Sequence, residues 1–344
     1  MAARPRLPRI AGRVYPDPPL GYNPRGREIE PTERRQSTMS GLFLFEQGLN
    51  GLQFGLMLFL LAAGLTLVFG IMDMINLAHG SLYMLGAYLT ASIAEASGSF
   101  LIAVPIALVA TALIGMALEL AVLRKLYARD HMSQVLATFA IILIANDAVR
   151  MIWGAQPVSL NTPAALSGPI DLFPGMSYSA YRLTIIVVGL IVAALLYLLV
   201  TRTRTGMLVR AGASNREMAT AMGVNIKLLF TCVFGFGAAL CALAGAMLGP
   251  ILAVQVGMGE DILILAFVVI VIGGIGSIRG ALVGALLVGV VDTMGRTFLP
   301  MILRAIFSPV VASNAGPALA SILIYVLMAA VLFWRPQGLF PARG

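Results

Sequence analysis

Asp73, Asn76, His79, Ser81 and Tyr83 stand close together in the stretch GIMDMINLAHGSLYMLGAY (70–88), inside a region that is otherwise apolar. Those residue types could do two kinds of chemistry. His79 beside Ser81 resembles the pairing of a base with a hydroxyl nucleophile that a hydrolase needs. Two residues apart on a helix, however, the two side chains diverge by about 200°, so neither can reach the other. The second kind is passage of a polar solute. Asn76, His79 and Gly80 are spaced i, i+3 and i+4, Asp73 lies three residues before Asn76, and Tyr83 three after Gly80. A helix through this stretch would carry Asp73, Asn76, His79 and Tyr83 as a polar stripe on one face. In an apolar solvent such a stripe must face protein or water. Taken singly, each residue is read equally well as a hydrogen-bonded contact between helices; the stripe as a whole favours a path.

Other reactive sets are missing from the sequence. A phosphate-cradling loop needs G-x-x-x-x-G-K-[ST], and the two lysines, Lys125 and Lys227, follow Arg and Ile. Two histidines and two cysteines leave no metal-ligand spacing. Cys232 and Cys241 would lie about 13 Å apart along a helix, too far for a disulfide. No metal, no cofactor and no enzymatic activity are expected.

The elements that must position the stripe follow from composition. Hydrophobic residues make up 59% of the chain and charged residues 11%, where soluble domains carry about 25% charged. With a mean hydropathy of +0.94, the chain is an all-α polytopic membrane protein. Apolar runs near 45–70, 75–96, 100–123, 133–153, 182–201, 227–252, 261–277, 280–300 and 317–334 predict about eight to nine spans, some of them broken or re-entrant. Gly273, Gly274, Gly276, Gly280, Gly284 and Gly289 mark 261–300 as one place for a break.

Residues 1–40 form a basic tail rich in proline and arginine, without an apolar core, and are expected to be disordered. Interspersed acids and prolines argue against a nucleic-acid arm. Residues 41–344 form the membrane domain. Arg124, Lys125 and Arg129, and then Arg202, Arg204, Arg210, Arg216 and Lys227, place two links on the cytoplasmic side. The link 154–179 has neither Lys nor Arg and reads as an outer loop. The same parity puts Arg279 and the C-terminus inside and residue 45 outside. That would strand the tail arginines on the outer face, and the expectation that resolves the conflict is a translation start at or near Met39.

The cytoplasmic link 202–226 is long for a connector and reads as amphipathic helices. Met207, Leu208, Ala211, Met218 and Met222 supply its apolar stripe, Arg210, Asn215 and Arg216 stay polar, and Gly212 and Gly223 punctuate it. It offers a docking surface for a protein, or an interfacial helix lying on headgroups.

Four segments, GLTLVFGIMDMINLAHGSLYMLGAY (64–88), TGMLVRAGASNREMATAMGVN (205–225), VIGGIGSIRGALVGALLVG (271–289) and WRPQGLF (334–340), resemble the inner-membrane permease subunit of branched-chain amino-acid ABC transporters, the LivH-like branch. The resemblance implies a helical importer half that pairs with a second homologous permease in the bilayer. Two cytoplasmic ATPase subunits and a periplasmic substrate-binding protein would complete the complex. It further implies that Gly206, Arg210, Ala211, Asn215, Glu217, Ala219 and Gly223 meet the ATPase. Asp73, Asn76, His79, Gly80, Tyr83, Gly273, Gly274 and Gly276 would then line or shape the translocation path. Branched-chain or other hydrophobic amino acids are the expected solutes. Urea or short amides within the same permease group, or a stand-alone secondary transporter, remain as alternatives.

Overall fold

The structure is a computed structural model that describes residues 32–74 and 76–340, with side chains from Gly41 onward. The chain divides into two units, residues 1–43 and 44–344. In the first unit the tail expected over 1–40 lies outside the described residues as far as 31; from Thr32 the chain is helical, Pro31 being the last proline before Pro105. Everything below concerns the second unit.

The helices in chain order are α1 (Thr32–Met72), α2 (His79–Ser97), α3 (Phe100–Leu118), α4 (Arg124–Leu126), α5 (His131–Trp153), α6 (Ala180–Arg202), α7 (Arg204–Ser214), α8 (Arg216–Ala221), α9 (Ile226–Leu248), α10 (Met258–Gly273), α11 (Ile278–Leu303) and α12 (Pro309–Trp334). A π-helical turn, Glu119–Leu123, joins α3 to α4 without interrupting the rod. One antiparallel hairpin, β1 (Pro169–Phe173) and β2 (Met176–Ser179), lies in the link before α6.

Local sequence sets these limits. Asp130, Thr203, Asn215, Asn225 and Ser277 cap α5, α7, α8, α9 and α11 by accepting a bond from a backbone N–H of the first turn. Gly274, at φ 104, ends α10 in a conformation other residues adopt only with strain. Seven of the described helices are long and apolar enough to cross a bilayer. The expected segments 75–96 and 261–277 are the exceptions. Ser81, Thr90, Ser92 and Glu95 dilute α2, and the 16 residues of α10 extend only about 24 Å.

The core sits on α1 and α9. Of the most apolar window of α1, 83% is buried, against 17% for α5, so α1 is central and α5 peripheral. Contacts sort the links into two ends. At one end Tyr127 meets Met72, Arg124 meets the Lys227 carbonyl, Arg279 meets Tyr197, and Gly276 approaches Gly70. At the other end Tyr178 and Arg182 donate to Asn50, Trp153 donates to Ser92, and Val158 pairs with Val254. The basic links thus share one end and the lysine- and arginine-free link occupies the other, as the charge pattern requires.

Two helices begin inside the bundle. His79, the first residue of α2, lies against Gly237, half-way along α9, and α2 runs from there towards Trp153. The first turn of α10 meets that of α2 at Gly259 and Gly80, and α10 runs the opposite way, to the basic end. Glycine at both positions is what allows the backbones to touch; a Cβ on Gly80 would sit 2.9 Å from the Gly259 carbonyl carbon and 3.0 Å from Leu263 Cβ.

Candidate path and docking surface

The polar stripe is not a single helix face. After α1 the chain turns at Asp73, whose φ of 48 is left-handed and whose side chain is exposed. An aspartate tolerates that conformation better than most residues. Asn76 lies in the turn, and only His79, Gly80 and Tyr83 belong to α2. The i, i+3, i+4 spacing assumed a helix that had already stopped.

Asn76 and His79 nevertheless come together in the middle of the bundle, both at 0% exposure. The Asn76 Oδ1 accepts from the Ala78 N–H at 3.1 Å, closing the turn into α2. Among the described residues its Nδ2 has no partner, nor has either ring nitrogen of His79, nor the Thr66 hydroxyl. The imidazole occupies a niche made by Gly64 and Gly237, with Phe234 edge-on at 6.4 Å between centroids. A buried polar group without a partner costs roughly 1–3 kcal/mol.

Gly273, Gly274 and Gly276 stand elsewhere. They form the break between α10 and α11 at the basic end, where the C-terminal segment covers Gly273 and Gly274. Leu339 and Phe340 donate backbone bonds to the Ile272 and Gly273 carbonyls, each at 2.9 Å. A Cβ on Gly274 would meet the Phe340 carbonyl oxygen at 2.8 Å. The structure therefore separates the central Asn76 and His79 from a packed joint at Gly273 and Gly274, with the exposed Asp73 in neither.

Three residues escaped the sequence reading. Glu260 and Asp261 occupy the first turn of α10 and are exposed, although Gly259 beside them lies at mid-bundle. Asn146 of α5 donates to Glu260 at 2.5 Å. Carboxylates at that depth do not face lipid. Their depth was not legible in the sequence, because it depends on the chain turning back after α9. Acids in a first helical turn are the one local signal.

The link 202–226 folds as α7 and α8. Met207, Met218 and Met222 are 56%, 60% and 80% exposed, so the apolar stripe is presented outward, not onto the bundle. Arg210, Ala211, Asn215 and Glu217 share that outer surface. Arg210 donates to the Val200 carbonyl, and Asn215 caps α8. Gly206 and Ala219 are buried and pack the pair, and Gly223 turns the chain into α9 at φ 88. Among the described residues no group of His, Cys, Asp or Glu could hold a metal ion.

Membrane-length helices around two helices that start at mid-bundle, with polar groups at the break, define a polytopic helical permease. The chain belongs to the family described as "Branched-chain amino acid transport system / permease component", which matches residues 48–332. It is 30% identical over 308 residues to the "High-affinity branched-chain amino acid transport system permease protein BraD" of Pseudomonas aeruginosa, covering 86% of this chain and 94% of that one. To the corresponding permease protein LivH of Escherichia coli K12 it is 30% identical over 278 residues, 75% of this chain and 88% of LivH. A probable LivH of Methanocaldococcus jannaschii is 27% identical over 253 residues, 71% and 78% of the two chains. No solved structure matches the chain.

Proposed function

We propose that this chain is a membrane subunit of an ABC importer and forms a translocation path for branched-chain or other hydrophobic amino acids together with a second, homologous permease. The observation that carries the reading is the meeting of α2 and α10, first turn to first turn, in mid-bundle beside Asn76, His79 and Glu260. Helix N-termini carry partial positive charge and a carboxylate carries negative charge, so the two compensate the two ends of a zwitterion. The face carrying Glu260, Asp261 and Asn146 borders the aqueous path, and His79 with Asn76 lies behind it at the break.

Energy comes from two ATPase subunits, one of which docks on α7 and α8 through Met207, Met218, Met222, Arg210 and Glu217. The basic end is cytoplasmic by the Lys and Arg count, which puts the C-terminus inside a bacterial inner membrane. A periplasmic binding protein delivers solute at the end of the β1–β2 hairpin. The chain itself is not an enzyme.

The test is ATP-driven uptake of labelled leucine by the assembled complex in proteoliposomes. Competition by isoleucine and valine, and none by urea, is expected. Competition by urea would move the substrate to the amide group, and leucine movement by this chain alone down an ion gradient would overturn the importer reading. In the same vesicles a hydrophilic maleimide should label Glu260→Cys and spare Ile322→Cys, on an exposed apolar face of α12.

A further inference from the structure

Glu119 is wholly buried, at 0% side-chain exposure, and opens the π-helical turn between α3 and α4. Both of its oxygens are fully engaged. Arg124 donates from Nε to Oε1 at 3.2 Å and from Nη2 to Oε2 at 3.1 Å; the Tyr127 hydroxyl donates to Oε1 at 2.8 Å, and the Thr231 hydroxyl to Oε2 at 2.7 Å. Arg124 also reaches the Lys227 carbonyl and the Thr231 hydroxyl, so the cluster ties α4 to the first turns of α9.

The cluster touches both functional regions. On one side the Arg216 guanidinium, in α8, lies 5.5 Å over the ring of Phe230, and Phe230 meets Tyr127 edge-on at 5.4 Å. On the other side the Tyr127 hydroxyl lies 3.5 Å from the sulfur of Met72. Met72 is the last residue of α1, directly before the Asp73 turn that leads to Asn76 and His79. A π turn holds one residue more than an α turn, and such turns recur at sites that move. Converting it to α would rotate Arg124 and Tyr127 together about the helix axis.

We propose that the Glu119 cluster is the joint that couples movement of α7 and α8 to the turn after α1, with Glu119, Tyr127 and Arg216 acting as positioning residues for transport. It rests on the reading that α7 and α8 meet the ATPase. Contact alone does not establish coupling between two sites. A π turn can relax to an α turn, which gives the joint two arrangements, and the ion pair makes intermediate positions unfavourable because separating it would leave the wholly buried Glu119 without its cation.

The experiment measures ATP hydrolysis and leucine uptake in the same proteoliposomes, with the complete complex carrying Glu119→Gln, Tyr127→Phe or Arg216→Ala. Tyr127→Phe keeps the ring packed and decides the matter if Glu119→Gln fails to assemble. Expected is retention of the ATPase, hydrolysis within twofold of wild type, and a fall of tenfold or more in solute moved per ATP. The pair Tyr127→Phe with Arg216→Ala should be no worse than the worse single variant, since both cut one route. A purely structural role would lower both activities together and leave their ratio unchanged. An unchanged ratio in Tyr127→Phe and Arg216→Ala, with the ATPase bound, overturns the proposal alone. Failure of the wild-type chain to retain an ATPase overturns the docking reading and this proposal with it.

Discussion

Two glycines of α1, exchanged for alanine, should shift stability in opposite directions. At Gly64 an added Cβ would lie 2.8 Å from His79 Nε2 and 2.9 Å from the Gly237 carbonyl oxygen. Ordinary contacts begin near 3.4 Å, so α9 or the imidazole must retreat by about 0.5 Å. The Gly237 backbone belongs to a buried helix and cannot yield cheaply. Overpacking of this kind costs about 1–3 kcal/mol, and alanine returns at most about 1 kcal/mol of helix propensity. A net loss of up to about 2 kcal/mol is expected for Gly64→Ala. At Gly48, by contrast, the nearest atom is Met294 Cε at 4.0 Å, so Gly48→Ala keeps the propensity gain and should stabilise by up to about 1 kcal/mol. Thermal unfolding of the detergent-solubilised protein should rank Gly48→Ala above wild type and Gly64→Ala below it. Leucine uptake should fall only in Gly64→Ala, because the niche around His79 changes shape. Equal midpoints for the two variants would refute the claim that α1 and α9 are held at backbone distance around the imidazole.

Further outcomes follow from the same geometry. His79→Leu should abolish most uptake without lowering the unfolding midpoint, since it removes two buried nitrogens that have no partner among the described residues, worth roughly 1–3 kcal/mol each; a lower midpoint with normal uptake would make His79 a packing residue. Met218→Asp with Met222→Asp should release the ATPase in co-purification and leave the unfolding curve unchanged, because both side chains point away from the bundle. Reversing Arg210 or Glu217 should lower uptake per ATP while the chain stays folded. Asp130 caps α5, and hydrogen bonds from the Ser133 hydroxyl and N–H hold its carboxyl below the usual aspartate value. A depressed carboxyl stabilises the fold above its unfolded pKa and loses that contribution as pH falls through the folded one. Asp130→Asn should therefore flatten the acid side of the stability profile below about pH 4, where an unperturbed aspartate titrates.

Much of this protein was settled along the chain itself. The apolar runs and their lengths set the solvent and the helices, because both the hydrophobic period and the bilayer thickness are short-range measures that a window of about 20 residues contains. Asp130, Thr203, Asn215, Asn225 and Ser277 mark helix starts by bonds three residues away, and the Lys and Arg links fall at one end of the bundle as their count required. The helical pair within 202–226 was legible for the same reason, its methionines repeating at helical spacing.

Tertiary structure decided what those elements do for one another. It removed Asp73 from the stripe, since a left-handed turn at that residue carries no signature in a helical wheel. It set His79 between Gly64 and Gly237 with no hydrogen-bond partner among the described residues, and lifted Glu260 to mid-bundle against α5, 114 residues from Asn146. It also closed the Glu119 cluster with Thr231 across 112 residues and laid the C-terminal segment over Gly274. Local pattern reports on neighbours within about one or two turns; partners a hundred residues apart are chosen by how whole helices pack, and that choice depends on the shape of the entire bundle.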